Sequence, residues 1–168
     1  MRKVLMFAVS FATAALLTHV APADAQGAAL SGNMAPFSYL LGADWNCTTN
    51  VPALGDQPAR TDQGTATFVV VPGNVVHNHV ATATYSGDFY FGYNERMNGY
   101  WQVSADSMGV HAFLTSSDGK TYTGTSSIGR LAMQDTVTYA KVTPNKVTVH
   151  EVLSGSEPTV TFDSVCTR

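Results

Sequence analysis

Ten short runs of alternating residues, parted by tight-turn signals, fill this sequence after residue 45 and leave few choices of fold. They are WNCTTN (45–50), TATFVVV (65–71), VVHNHVATATY (75–85), DFYFGYN (88–94), YWQVSA (100–105), VHAFLTS (110–116), KTYTGTS (120–126), MQDTVTYAKV (133–142), KVTVHEVL (146–153) and TVTFDSVCT (159–167). Thr, Val, Tyr and Phe dominate them, as suits a pleated, half-buried surface. Between them lie Pro72-Gly73-Asn74, Ser86-Gly87, Asn98-Gly99, Ser117-Asp118-Gly119, Pro144-Asn145 and Ser154-Gly155. Asn-Gly and Asp-Gly supply the positive φ angles of tight hairpins. Successive hairpins make an up-and-down meander, which either exposes two edges or closes on itself. The pattern predicts an all-β chain, an up-and-down antiparallel barrel of about 8–10 strands.

The two cysteines sharpen this. Cys47 falls in the first run and Cys166 in the last. The chain opens with MRKVLMFAVSFATAALLTHVAPADAQ, where Arg2 and Lys3 precede an apolar core over 4–17 and Ala23-Asp24-Ala25 forms a small-x-small cleavage site. This reads as a signal peptide over residues 1–25, too short in its apolar run for a membrane helix. The expected product is a single barrel domain over 26–168, exported to the periplasm or secreted, with no membrane span after cleavage. Two cysteines in an exported chain favour one disulfide. In a closed barrel the first and last strands pair, so a Cys47–Cys166 bridge would staple the seam.

Residues 33–41 carry the one helical signal past residue 26, with Pro36 in a first-turn position and Gly42 as a C-terminal cap. The expectation is a short helical plug at one barrel end, followed by Trp45 entering the first strand. Residues 51–63, VPALGDQPARTDQ, read as a long polar loop beside the mouth. The net charge is −3, and loss of residues 1–25 takes it to −4 by removing two cations and one anion. With no basic patch, nucleic acid and anionic membranes are excluded as expected partners.

An aromatic-apolar turn followed by Gly42-Ala43-Asp44-Trp45 resembles the calycin group: lipocalins, fatty-acid-binding proteins and nitrobindin-like barrels. Two residues part Gly42 from Trp45, where that group's signature has one. Phe91-Gly92-Tyr93-Asn94, Tyr100-Trp101, Asp106-Ser107-Met108-Gly109 and the stretch from Thr115 to Tyr122 are similar to exported bacterial barrels of calycin-like fold. The resemblance implies a barrel with an interior cavity and carries no reaction with it. His150 lies near the C-terminus, as does the haem ligand of nitrobindin-like barrels, but that family's Gly-rich run after the Trp is replaced here by Asn46-Cys47-Thr48. The haem assignment is therefore not carried over.

Three kinds of chemistry are open to these residues. His77 and His79 are two apart on one run, so both imidazoles share a strand face and could ligate a metal, with His111 or His150 as a third ligand. The competing reading is a pair of exposed histidines on a polar outer face. Asp88, Glu95, Asp106 and Asp135 could form a carboxylate pair, but their places at or near strand ends and turns suit solvated acids. No Gly-x-Ser-x-Gly elbow or phosphate-binding glycine loop is present, which favours a non-catalytic protein. The aromatics offer more. Phe89, Phe91 and Tyr93 share one face, Trp101 and Val103 another, and Phe68 and Val70 a third. With Phe113 and Tyr139, these would line an interior cavity for a small apolar or amphipathic ligand, with Tyr93, Tyr139 or His111 fixing its orientation. The alternatives are a metal- or haem-dependent site around His77 and His79, and a filled structural barrel with no ligand. A one-residue slip would turn Tyr90 and Gly92 inward in place of Phe89, Phe91 and Tyr93.

Overall fold

The structure is a computed structural model and describes residues 29–155 and 159–168. The signal-peptide expectation lies outside the described residues. Ten strands follow one 3-10 helix: β1 (Trp45–Val51), β2 (Arg60–Val71), β3 (Val75–Thr82), β4 (Ser86–Asn94), β5 (Gly99–Asp106), β6 (Val110–Ser116), β7 (Thr121–Ile128), β8 (Leu131–Thr143), β9 (Lys146–Ser154) and β10 (Val160–Thr167). Each pairs antiparallel with its neighbours in sequence, and β10 returns to pair with β1, closing the barrel. All ten expected runs are strands. Among the described residues no helix is long and apolar enough to cross a membrane.

The seam is covalent. Cys47 and Cys166 are direct register partners across β1 and β10 and form a disulfide that spans 119 residues of sequence. Glycine and asparagine take the left-handed positions that the hairpins need: Gly73 and Asn74 after β2, Asn98 before β5, and Gly119 after β6.

Two boundaries differ from expectation. The polar loop runs only over 52–59, because residues 60–64 pair with β1 from Val51 back to Cys47. The turn expected at Ser86-Gly87 lies instead over 83–85. There Thr82 Oγ1 accepts the N–H groups of Thr84 (3.2 Å) and Tyr85 (3.0 Å), which ends β3 before the hairpin signal is reached.

The 3-10 helix (Gly32–Leu40) caps the end of the barrel where the β2–β3, β4–β5, β6–β7 and β8–β9 hairpins lie, and it buries Met34, Phe37 and Leu40. Trp45 is fully buried at the start of β1, and its Nε1–H donates to the Leu40 carbonyl at 2.9 Å. The Arg168 guanidinium stacks over the Trp45 ring at 4.7 Å and donates to the Leu41 carbonyl at 2.9 Å. The Tyr100 hydroxyl donates to the Asn33 carbonyl at 3.1 Å. The plug is thus tied to both the first and last strands and to β5. Below it, Val76, Leu114, Tyr122, Val137 and Val147 are buried against one another and the plug residues.

Replacing Cys47 and Cys166 together by Ser should lower stability by about 4 kcal/mol or somewhat less, from the loop entropy restored to the unfolded chain. The ladder register and the plug contacts remain, so the variant should keep a β-sheet circular dichroism spectrum. Denaturant unfolding checks this: an unchanged midpoint would show that the seam needs no staple.

Candidate functional site

Strand parity decides what the lumen contains. Alternation of burial turns Phe89, Phe91 and Tyr93 inward on β4, with Phe68 and Val70 on β2 and Tyr139 on β8. Phe91 packs edge-on against Tyr122 (5.9 Å between centroids) and Tyr139 (5.5 Å), and Tyr122 packs edge-on against Tyr139 (5.8 Å). These rings fill the plugged half rather than bordering a void. The Tyr139 hydroxyl donates to Gln102 Oε1 at 3.0 Å, a strut across the lumen from β8 to β5.

Two of the expected lining residues face the other way. On β5 the buried inward position is Gln102, with half-buried Tyr100 and Ser104 at the same parity, so Trp101 and Val103 point outward. Trp101 lies flat over Gly92 of the paired strand, so closely that any side chain at Gly92 would collide with the ring. Phe113 is 54% exposed on the outer face of β6. On β5, Trp101 and Val103 mark the outside because polar Gln102 and Ser104 are turned in; on β6, Phe113 lies outside because Ala112 and Leu114 are turned in.

His77 and His79 do share a face, and it is the outer one: buried Val76 and Asn78 carry the inward parity of β3. Both imidazoles donate to the same Asp88 oxygen, His77 Nε2 at 2.8 Å and His79 Nδ1 at 2.9 Å, and His77 stacks on Tyr90 at 4.6 Å. Those hydrogen bonds, from His79 first and His77 next, hold the Asp88 carboxyl below the usual carboxylate range. His111 is exposed, with outward parity on β6, and does not join this pair. His150 is also outward and donates through Nδ1 to Asp163 at 2.7 Å. Among the described residues no three His, Cys, Asp or Glu side chains are arranged to hold a metal ion.

The open end differs from the plugged one. Val80, Phe89, Ser104, Val149 and Phe162 face inward yet are only half-buried, so solvent reaches them through the mouth. The loop over 52–59 stands at this rim, where Val51, Pro52, Arg60, Thr161 and Asp163 border an open cleft of about 380 Å³ outside the lumen. Three carboxylates have inward parity here: Asp135 on β8, Glu151 on β9, and Asp106 at the end of β5, whose Oδ1 also accepts the Met108 and Val110 N–H groups of the β5–β6 turn, each at 2.9 Å. Tyr85 joins them from the β3–β4 turn, its hydroxyl so near Gly87 that a Cβ there would lie 2.6 Å away. Asp135 is 3% exposed; the Ser126 hydroxyl donates to its Oδ2, while Oδ1 has no protein partner.

Burial and the neighbouring charges of Asp135 and Asp106 push the Glu151 carboxyl up to about 7. Burial also raises Asp135, against the Ser126 hydrogen bond. Tyr85 is raised by burial and by the Asp106 charge. These groups form one electrostatic cluster at the mouth.

In the sequence Asp106 and Asp135 read as solvated acids, and no motif marks Glu151 or Tyr85. A signal was present. Asp135 has the parity of Val137 and Tyr139, and Glu151 that of Val147, Val149 and Leu153. A single acid on an otherwise apolar stripe marks a buried charge.

No protein-family model matches this chain, and no curated protein does.

Glu151 ties stability to pH with a definite sign. Its folded value near 7 lies above the ordinary 4.5, so between these the folded state binds more protons than the unfolded one. Stability therefore falls as pH rises from 4.5 through 7, by on the order of 3 kcal/mol if Glu151 acts alone. Thermal unfolding of the wild type should occur several degrees lower at pH 8 than at pH 5. Glu151→Gln should flatten most of that slope, and an equally steep slope in this variant would assign it to another group.

Proposed function

We propose that this chain is an exported, calycin-like binding barrel that holds a small amphipathic molecule in the open half of its lumen, without catalysis. The observation that carries this reading is the contrast between the two halves. One is packed solid by Phe91, Tyr122, Tyr139 and the plug; in the other, inward-facing Phe89, Val80 and Phe162 keep contact with solvent. A ten-strand ring is wider than the eight-strand barrels whose side chains just fill them. Apolar inward side chains left wet at one end are surface that a ligand would cover.

Burial would supply the affinity. Covering about 300 Å² of apolar area contributes about 7 kcal/mol before the costs of association, so burial alone limits affinity to about 10 μM or weaker, and polar contacts must supply the rest. The disulfide suits an oxidising compartment, in keeping with the signal-like start of the sequence.

A polarity-sensitive probe tests this directly. N-Phenylnaphthylamine should bind with one-to-one stoichiometry and a blue-shifted, enhanced emission. Ser104→Phe, which puts a ring into the open half, should weaken it at least tenfold. Phe113→Ser, on the outer face, should leave it unchanged. Probe binding that disappears with Phe113→Ser and survives Ser104→Phe would move the site to the outer wall, and no binding at all would favour a filled structural barrel.

A further inference from the structure

We propose that the molecule held in the open half is a cation: an alkyl- or arylammonium whose nitrogen lies among Asp106, Asp135 and Glu151 while its apolar part rests on the aromatic floor. This rests on the lumen-binding reading above. Four observations lead to it.

The first is the sign of the charge. Asp106, Asp135 and Glu151 come from three strands and all have inward parity. The cations that border the barrel are committed elsewhere: Arg60 pairs with Asp62 at 3.0 Å, Lys141 lies over Tyr39, Arg168 lies over Trp45, and Arg130 is exposed in the β7–β8 turn. Among the described residues none neutralises the three acids.

The second observation concerns buried polar atoms without partners. Asn78, on β3 and 7% exposed, faces the lumen with its Oδ1 lacking any protein partner. Asp135 Oδ1 is likewise unpartnered, from the opposite side of the ring, since β3 and β8 stand five places apart in the ten-strand order. Asp135 Oδ1 is an acceptor, and the Asn78 amide can turn its oxygen to a donor; a buried polar atom without a partner is costly. A ligand rich in N–H groups satisfies both; a carboxylate or phosphate leaves Asp135 Oδ1 unpartnered.

The third is the spacing. Asp135 and Asp106 lie close enough to Glu151 to raise its carboxyl, yet among the described residues no three ligating side chains converge on a point as a metal ion demands. An organic ammonium is larger and less exacting. The fourth is the floor itself. Phe89 and Phe162 give the apolar part of the ligand a surface, and an aromatic face also favours a nearby cation.

The ionisable groups facing Glu151 are Asp135, Asp106, Tyr85 and Tyr139, and none of them is basic. Proton uptake by Glu151 therefore removes attraction for a cation, and nothing in this set compensates for the loss. Affinity should weaken as pH falls below about 7.

Three probes of equal chain length separate charge from burial: octylammonium, octanol and octanoate, each titrated calorimetrically into the full exported protein. At about pH 8, octylammonium should bind at least tenfold more tightly than octanol, and octanoate should bind weakest. Its advantage over octanol should shrink severalfold at about pH 5 and in Glu151→Gln. Asp135→Asn should shrink it further; if Asp135→Asn fails to fold by circular dichroism, the less buried Glu151→Gln decides the matter alone. Octanol or octanoate binding as tightly as octylammonium would overturn the cation assignment and leave the binding barrel standing. Heat from none of the three, with no N-phenylnaphthylamine binding, would overturn both.

Discussion

Everything in this molecule depends on the pairing of β1 with β10. A ten-strand meander left open has two edges and no defined interior. Once Asn46 to Asn50 pair with Asp163 to Thr167, the edges vanish and each strand acquires an inside and an outside. The pairing is also the least local contact in the fold, and loop-closure entropy opposes it most. Two devices act at that seam. The disulfide removes much of the entropy from the unfolded chain. Arg168, one residue past β10, reaches back to the Leu41 carbonyl and the Trp45 ring, so the last residue, the plug and the first strand hold one another.

Closure creates the division between halves. At the plugged end Trp45 gives its indole N–H to the Leu40 carbonyl and leaves no polar atom of its ring unpaired. The aromatic trio behind it meets edge to face, the arrangement that aromatic quadrupoles favour. This half supplies the cohesion of an ordinary core. The other half carries three carboxylates, and the burial of two of them, Asp135 and Glu151, opposes folding. Glu151 expresses that cost as a raised pKa, because the folded barrel prefers it protonated. The stability lost at one end is offset at the other and at the seam.

Much of the fold was legible from the chain, and the site was not. Strand number and most turns follow from local chemistry: Asn74 and Asn98 at positive φ are choices that a single hairpin makes for itself. The direction of a strand face is a global property. YWQVSA invites the inference that Trp101 and Val103 face a core, and in a protein with an oily interior they would. Here Gln102 pairs with the Tyr139 hydroxyl across the lumen, and the parity of β5 follows the polar residue. Trp101 finds its contacts outside, over Gly92. DFYFGYN leaves two parities open, and the fold takes the one with Phe89, Phe91 and Tyr93 inside for the complementary reason: Gly92 has no side chain to bury and accepts that neighbouring ring on the outer wall.

The same logic explains why the histidines drew attention and the acids did not. His-x-His is conspicuous in a linear reading, yet Asp88 on the neighbouring strand satisfies both imidazoles on the outer wall. Asp135 and Glu151 look unremarkable beside their Thr and Val neighbours. Their meaning appears only when strand parity places them on the inner stripe with Val137 and Val149 and the barrel brings Asp106 to the same end. A core built only for stability would carry aliphatic side chains there, since replacing buried charge by apolar volume is neutral or stabilising in general. Carboxylates at those positions weaken the fold and give the lumen a sign. That sign, with unpartnered polar atoms on opposite walls, is the structural reason to look for a cationic guest.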